Sequence, residues 1–74
     1  MPSERFDVMQ AKLDAIWQQA EAARDEVIAM LSADDLSPRD AKALSFTNGL
    51  LVAVVSNAKS ASANIGRTTE ELWS

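Results

Sequence analysis

The sequence predicts an all-α fold, a long antiparallel helical hairpin that dimerises into a four-helix arrangement and carries a short C-terminal helical turn. Three observations lead there. Apolar residues recur every three or four positions through both halves of the chain, and only a short polar segment separates the halves. The second half also opens on a strong helix start, Ser37-Pro38 with Asp40 behind it. The 74 residues make one domain, divided into helix 1 over about 3–32, a connection at 33–37, helix 2 over about 38–66 and a C-terminal turn at 68–74.

Helix 1 starts with Ser3 as N-cap and Glu4 in the first turn, where an acid complements the helix dipole. A heptad reading then runs unbroken to Met30. Phe6, Leu13, Ala20 and Val27 take one core position, and Met9, Ile16, Ala23 and Met30 take the other. Asp7, Asp14, Gln18, Glu21 and Asp25 lie away from this seam, and Trp17 borders it beside Ile16. The connection, Ser32-Ala33-Asp34-Asp35-Leu36-Ser37, is short enough to favour antiparallel neighbours. Its two adjacent acids read as turn chemistry, because a metal site would want a third ligand.

Helix 2 begins where Ser37 accepts a hydrogen bond from an orphan backbone N–H, Pro38 loses no bond at the first helical position, and Asp40 serves as the capping-box acid. Its stripe is Leu44, Thr47, Leu51, Val54, Ala58, Ala61 and Ile65. A competing strand reading rests on the turn dipeptide Asn48-Gly49 and the β-branched residues that follow it. Against it, Leu50-Leu51-Val52 does not alternate, and a lone hairpin of two strands is marginal in water. In a helix, Gly49 costs about 1 kcal/mol relative to Ala. Close approach of another backbone would compensate, since Gly49, Ala53, Ser56 and Ser60 form a face of small residues; a tolerated glycine or a local kink is the alternative. Gly66 can end the helix in the left-handed conformation, with Thr68 and Glu71 capping a last turn that presents Leu72 and Trp73; either this tail folds back and docks Trp73, or the helix runs on and frays.

Composition excludes several chemistries. With no Cys there is no disulfide, and with no His, Cys or Tyr the usual general bases and thiol nucleophiles are missing. Ser56, Lys59 and Ser60 fall within one helical turn, which reads as a solvated polar face rather than a Ser–Lys pair. Two glycines cannot build a phosphate loop. No enzyme activity, metal or cofactor is expected. The net charge of −4 is unevenly spread, with three basic and eight acidic side chains in residues 1–36 and four basic and three acidic in 37–74. An acidic first half disfavours nucleic acid and anionic membranes and suits a basic patch on a protein. The N-terminal stretch lacks the unbroken apolar run of a signal peptide, and Leu50 to Val55 is too short to cross a bilayer, so a cytoplasmic location is expected.

The layout resembles Rop-type RNA-binding hairpin dimers in its helix pattern. Ala15-Ile16-x-x-x-Ala20, and Leu44-x-Phe46-Thr47 followed by Ser56-Asn57-Ala58, resemble the helical hairpin domain of phage proteins that sequester cyclic-oligonucleotide signals. In size, charge and fold the chain also looks like the small acidic helical proteins with which phages antagonise host regulators or defence complexes. These resemblances imply, respectively, an RNA-binding dimer, an oligomeric sponge and an inhibitor acting on another protein; a sponge would need convergent polar groups at subunit junctions, such as Arg39, Lys42, Asn57 or Lys59.

The leading expectation is the last, a non-enzymatic homodimeric interaction protein. Its oligomer interface is expected at Phe46, Leu50, Val52 and Val55, which cannot all face one neighbour within a hairpin. Trp17, Glu21, Asp25 and Trp73 are the candidates for binding a partner.

Overall fold

The computed structural model describes the backbone of residues 2–73 and the side chains of residues 4–71. The expected all-α hairpin is what forms: α1 spans Pro2–Leu31 and α2 spans Pro38–Trp73, packed side by side along their lengths. Asn48 and Gly49 sit inside α2, and no strand forms among the described residues. The N-cap at Ser37 is made as its sequence requires. Its hydroxyl accepts from the Asp40 N–H at 3.1 Å, and its carbonyl accepts the first helical bond, from the Ala41 N–H at 2.9 Å. At the other side of the connection, the Ser32 N–H is shared between the Ile28 and Ala29 carbonyls, both at 3.2 Å. This tightening of the last turn satisfies carbonyls that would otherwise be orphaned.

Three features differ from the sequence reading. First, α2 does not stop at Gly66. No glycine among the described residues has a positive φ, and the helix runs on to Trp73. Gly66 instead makes room for the Gln10 side-chain amide: a Cβ there would lie 3.0 Å from Gln10 Nε2. Thr68, expected as a second cap, donates its hydroxyl to the Asn64 carbonyl at 2.9 Å, and Thr69 does the same to Ile65 at 3.0 Å. Both hydroxyls are satisfied inside a continuous helix. Ser3, expected as the N-cap of helix 1, lies inside α1, which begins at Pro2; its side chain and that of Trp73 lie outside the described residues. Second, a Cβ at Gly49 would meet nothing within 4 Å, so the small-residue face around it is open rather than closely packed.

Third, the seam is rotated. Phe6, Leu13, Ala20 and Val27 face α2 as expected, but the alternate position is taken by Gln10, Trp17, Arg24 and Leu31, each partly covered. Met9, Ile16, Ala23 and Met30 stay exposed. On α2 the inward residues are Leu44, Asn48, Leu51, Val55, Ala58, Ser62 and Ile65, so Asn48 and Val55 replace Thr47 and Val54, while buried Ser62 stands beside Ala61, which is partly covered. Both rows step by three and four, the spacing of two helices in a shallow left-handed coil. The core is thin. Ala20, Val27, Val55 and Ala58 are its buried hydrophobic residues, and no large side chain is fully buried among the described ones.

Candidate interaction surface

With the seam so rotated, one side of the hairpin carries its cross-helix polar contacts. Three cross-helix contacts step up α1 as they step down α2: Gln10 with Gly66, Asp14 with Ser62, and Glu21 with Lys59. The Ser62 hydroxyl, itself buried, donates to Asp14 Oδ1 at 2.6 Å. The Trp17 indole N–H donates to the same oxygen at 3.0 Å. Lys59 Nζ lies 3.2 Å from Glu21 Oε1 and 4.7 Å from the centre of the Trp17 ring. Asp14, Trp17, Glu21, Lys59 and Ser62 thus form one cluster along this edge. The Ser62 hydroxyl, and after it the Trp17 N–H, hold the Asp14 carboxyl below its usual 3.8, against the opposing effect of burial.

Two of the expected partner-binding residues, Trp17 and Glu21, are therefore already engaged within the hairpin. Asp25 is exposed, and Trp73 falls outside the described side chains. Of the expected oligomer interface, Val55 is buried against α1 with only 7% of its surface exposed, so it is spent in the hairpin. Phe46, Leu50 and Val52 remain exposed, Phe46 to 69%. They do not share a face. Phe46 lies on the back of α2 with Leu50 one turn on, while Val52 stands one heptad from Lys59 and so lies on the polar side.

Sequence reasoning missed the exposed apolar residues of α1. Met9, Ile16 and Met30 are 48%, 47% and 45% exposed, although their spacing is that of a core seam. The signal that could have placed them outside is the ladder Gln10, Trp17, Arg24, Leu31. Read with Phe6, Leu13, Ala20 and Val27, it has the same three-and-four spacing with longer amphipathic side chains. Two polar atoms are buried in the interface without a hydrogen-bond partner in the chain, Arg24 Nε and Asn48 Oδ1. One is a donor and the other an acceptor.

The other chemical possibilities do not assemble. Arg39 and Lys42 lie one turn apart at the start of α2, Asn57 lies roughly 25 Å further along the helix, and Lys59 is engaged by Glu21 and Trp17. Among the described residues no three His, Cys, Asp or Glu side chains converge as a metal site, and no helix is long and apolar enough to cross a membrane. Comparison of the chain with family models, with curated proteins and with solved structures gives no match.

Proposed function

We propose that this chain is a non-enzymatic interaction protein that self-associates and acts on another protein. Its role would be that of an inhibitor or anti-activator of a regulatory or defence protein in the cytoplasm, as with the small acidic phage proteins it resembles. The observation that carries the reading is the surface the hairpin leaves in water. The chain exposes 5534 Å². A compact monomer of 8.0 kDa would expose about 4,500 Å². The excess is rich in large apolar side chains, including Met9, Ile16, Met30, Phe46 and Leu50. Surfaces of that kind mark places where another polypeptide sits.

The acidic residues supply the second half of the reading. Glu4, Asp7, Asp25 and Glu26 are exposed on α1, and Asp34 and Asp35 are exposed in the connection. A basic patch on a protein partner complements that surface, and it repels nucleic acid. The test is affinity capture with the full chain followed by mass spectrometry of what remains bound. The expected result is a protein that is retained by the wild type and lost from the Asp7→Lys/Asp25→Lys variant. Recovery of a cyclic dinucleotide instead, with binding seen in calorimetry, would replace this reading with a signal sponge. A shift of structured RNA at low salt would replace it with an RNA-binding hairpin.

A further inference from the structure

The two sides of the hairpin differ in chemistry. One carries the Glu21–Lys59 pair and the Gln10–Gly66 approach. In an antiparallel pair of heptad helices, residues flanking the seam on one side of α1 meet the matching flank of α2, and the two remaining flanks share the opposite side. That opposite side presents Met9, Ile16 and Met30 from α1 and Val54 from α2, with Ala23 and Ala61 near its middle. These positions recur every seven residues, and no charged side chain occupies either row from 9 to 30 or from 47 to 68.

We infer that this uncharged side takes a second copy of the same chain, laid across a two-fold axis so that α1 stacks antiparallel on α1 and α2 on α2. The inference rests on the self-association in the proposed function and assigns it a surface. Three observations favour a second copy over a different partner. The face has no charge for a charged partner to pair with, whereas an apolar face matches itself. Its size also fits. Met9 to Met30 is about 30 Å of helix, and two helices side by side are roughly 20 Å wide, giving about 600 Å² per copy and about 1,200 Å² in all. That is the lower bound of a specific interface.

The third observation is at the rim. Lys12 borders Met9, sharing with it the groove of about 340 Å³ lined by Glu4, Arg5, Val8, Met9 and Lys12. Glu26 occupies the equivalent heptad position two repeats along. The face on α1 has its midpoint between Gln19 and Ala20, and Lys12 and Glu26 stand on either side of it. An antiparallel α1 pair therefore brings Lys12 of one copy to Glu26 of the second, twice per dimer. Ala23 and Ala61 let the helices approach closely at the centre.

Sedimentation equilibrium of the full chain tests this. The wild type is expected as a dimer at tens of micromolar. Ile16→Glu or Val54→Glu should raise Kd by about 100-fold or more, because each buries a charge against an apolar face. Val52→Glu, on the polar side, should leave Kd within about threefold. Lys12→Glu and Glu26→Lys should each weaken the dimer by about three- to tenfold, and the double exchange should recover it to within about twofold of wild type. Should a charged variant lose its helices on dissociation, the wild type still reports. Oxidation of Met9 and Met30 by dilute peroxide should slow at least fivefold, on the order of what burial of a thioether gives, as concentration rises through Kd. Unchanged methionine rates, a double exchange that fails to recover, or a dimer broken by Val52→Glu and not by Ile16→Glu would each overturn the surface and leave self-association standing. A wild type that stays monomeric at about 100 µM, a Kd scale weaker than ordinary specific pairs, would remove both.

Discussion

At the scale of single residues, Asp14 is the hinge of the polar cluster. Two donors converge on one of its oxygens, from Ser62 across the hairpin and from Trp17 one turn along α1. Both favour the charged carboxylate, so the folded-state pKa falls below 3.8. A group with a depressed folded pKa contributes stability above its unfolded pKa and loses it as pH falls through the folded value. The hairpin should therefore lose this contribution only at acid pH below about 4, near the unfolded Asp value. Carboxyl NMR titration should place Asp14 under 3.8, and Ser62→Ala should move it back toward that value. No movement in the variant would mean that the hydroxyl is not the main cause. Gly49 gives a second prediction at this scale. It is helical and open on its outer side. Gly49→Ala should stabilise the fold by about 1 kcal/mol in urea denaturation, since Ala costs less backbone entropy and meets nothing.

At the scale of the helices, what matters is which row of each helix turns inward. Val55 and Val27 are buried, while Ile16 and Met9 are half exposed although they are larger. Val55→Ala should cost about 2 kcal/mol, the loss of two buried methyl groups and the space they filled. Ile16→Ala should cost the isolated hairpin less than about 1 kcal/mol, because much of that side chain already faces water. Denaturation of both variants at a concentration low enough for the monomer reads the difference directly, and an inverted order would restore the Met9–Ile16–Met30 seam. Asn48 sits in the same inward row with a buried acceptor unpaired in the chain. Asn48→Leu should raise stability by about 1–2 kcal/mol, by removing an unpaired acceptor and adding apolar contact. A loss on making that change would show that the Asn48 acceptor has a hydrogen-bond partner in solution.

At the scale of the whole molecule, the hairpin is a rod. Its Cα atoms extend over 55 × 13 × 13 Å, with a radius of gyration of 16.8 Å. A compact chain of this length would have about 11 Å. Two layers of one helix each cannot enclose a large side chain, and none is fully enclosed among the described residues. Packing two rods side by side thickens the molecule and covers the exposed row of α1. The melting temperature should consequently rise with protein concentration, by mass action on the associated state. A melting temperature independent of concentration over a hundredfold range, about 2.7 kcal/mol of linkage for a partner site, would show that the hairpin is stable alone.

The sequence by itself determined the helices, their partnership and most of one seam. Those features are local: the Ser37 cap with Pro38, the three-and-four spacing of Phe6, Leu13, Ala20 and Val27, and a connection too short for any but an antiparallel return. It also showed that Leu44, Leu51, Ala58 and Ile65 face inward, because strong periodic apolar residues leave little choice. The rotation of each helix about its axis was decided only in the tertiary structure. Met9 and Gln10 are neighbours on the helix surface, and apolarity alone favours Met9. In the structure Asp14 meets Ser62, Lys59 lies between Glu21 and Trp17, and it is this polar edge that adjoins the seam. Such contacts join residues 38 and 48 positions apart, so no local spacing reveals them. The same holds for Gly66. A glycine near a helix end reads as a stop, but the approach of Gln10 from the other helix gives it a different use, and α2 continues to Trp73.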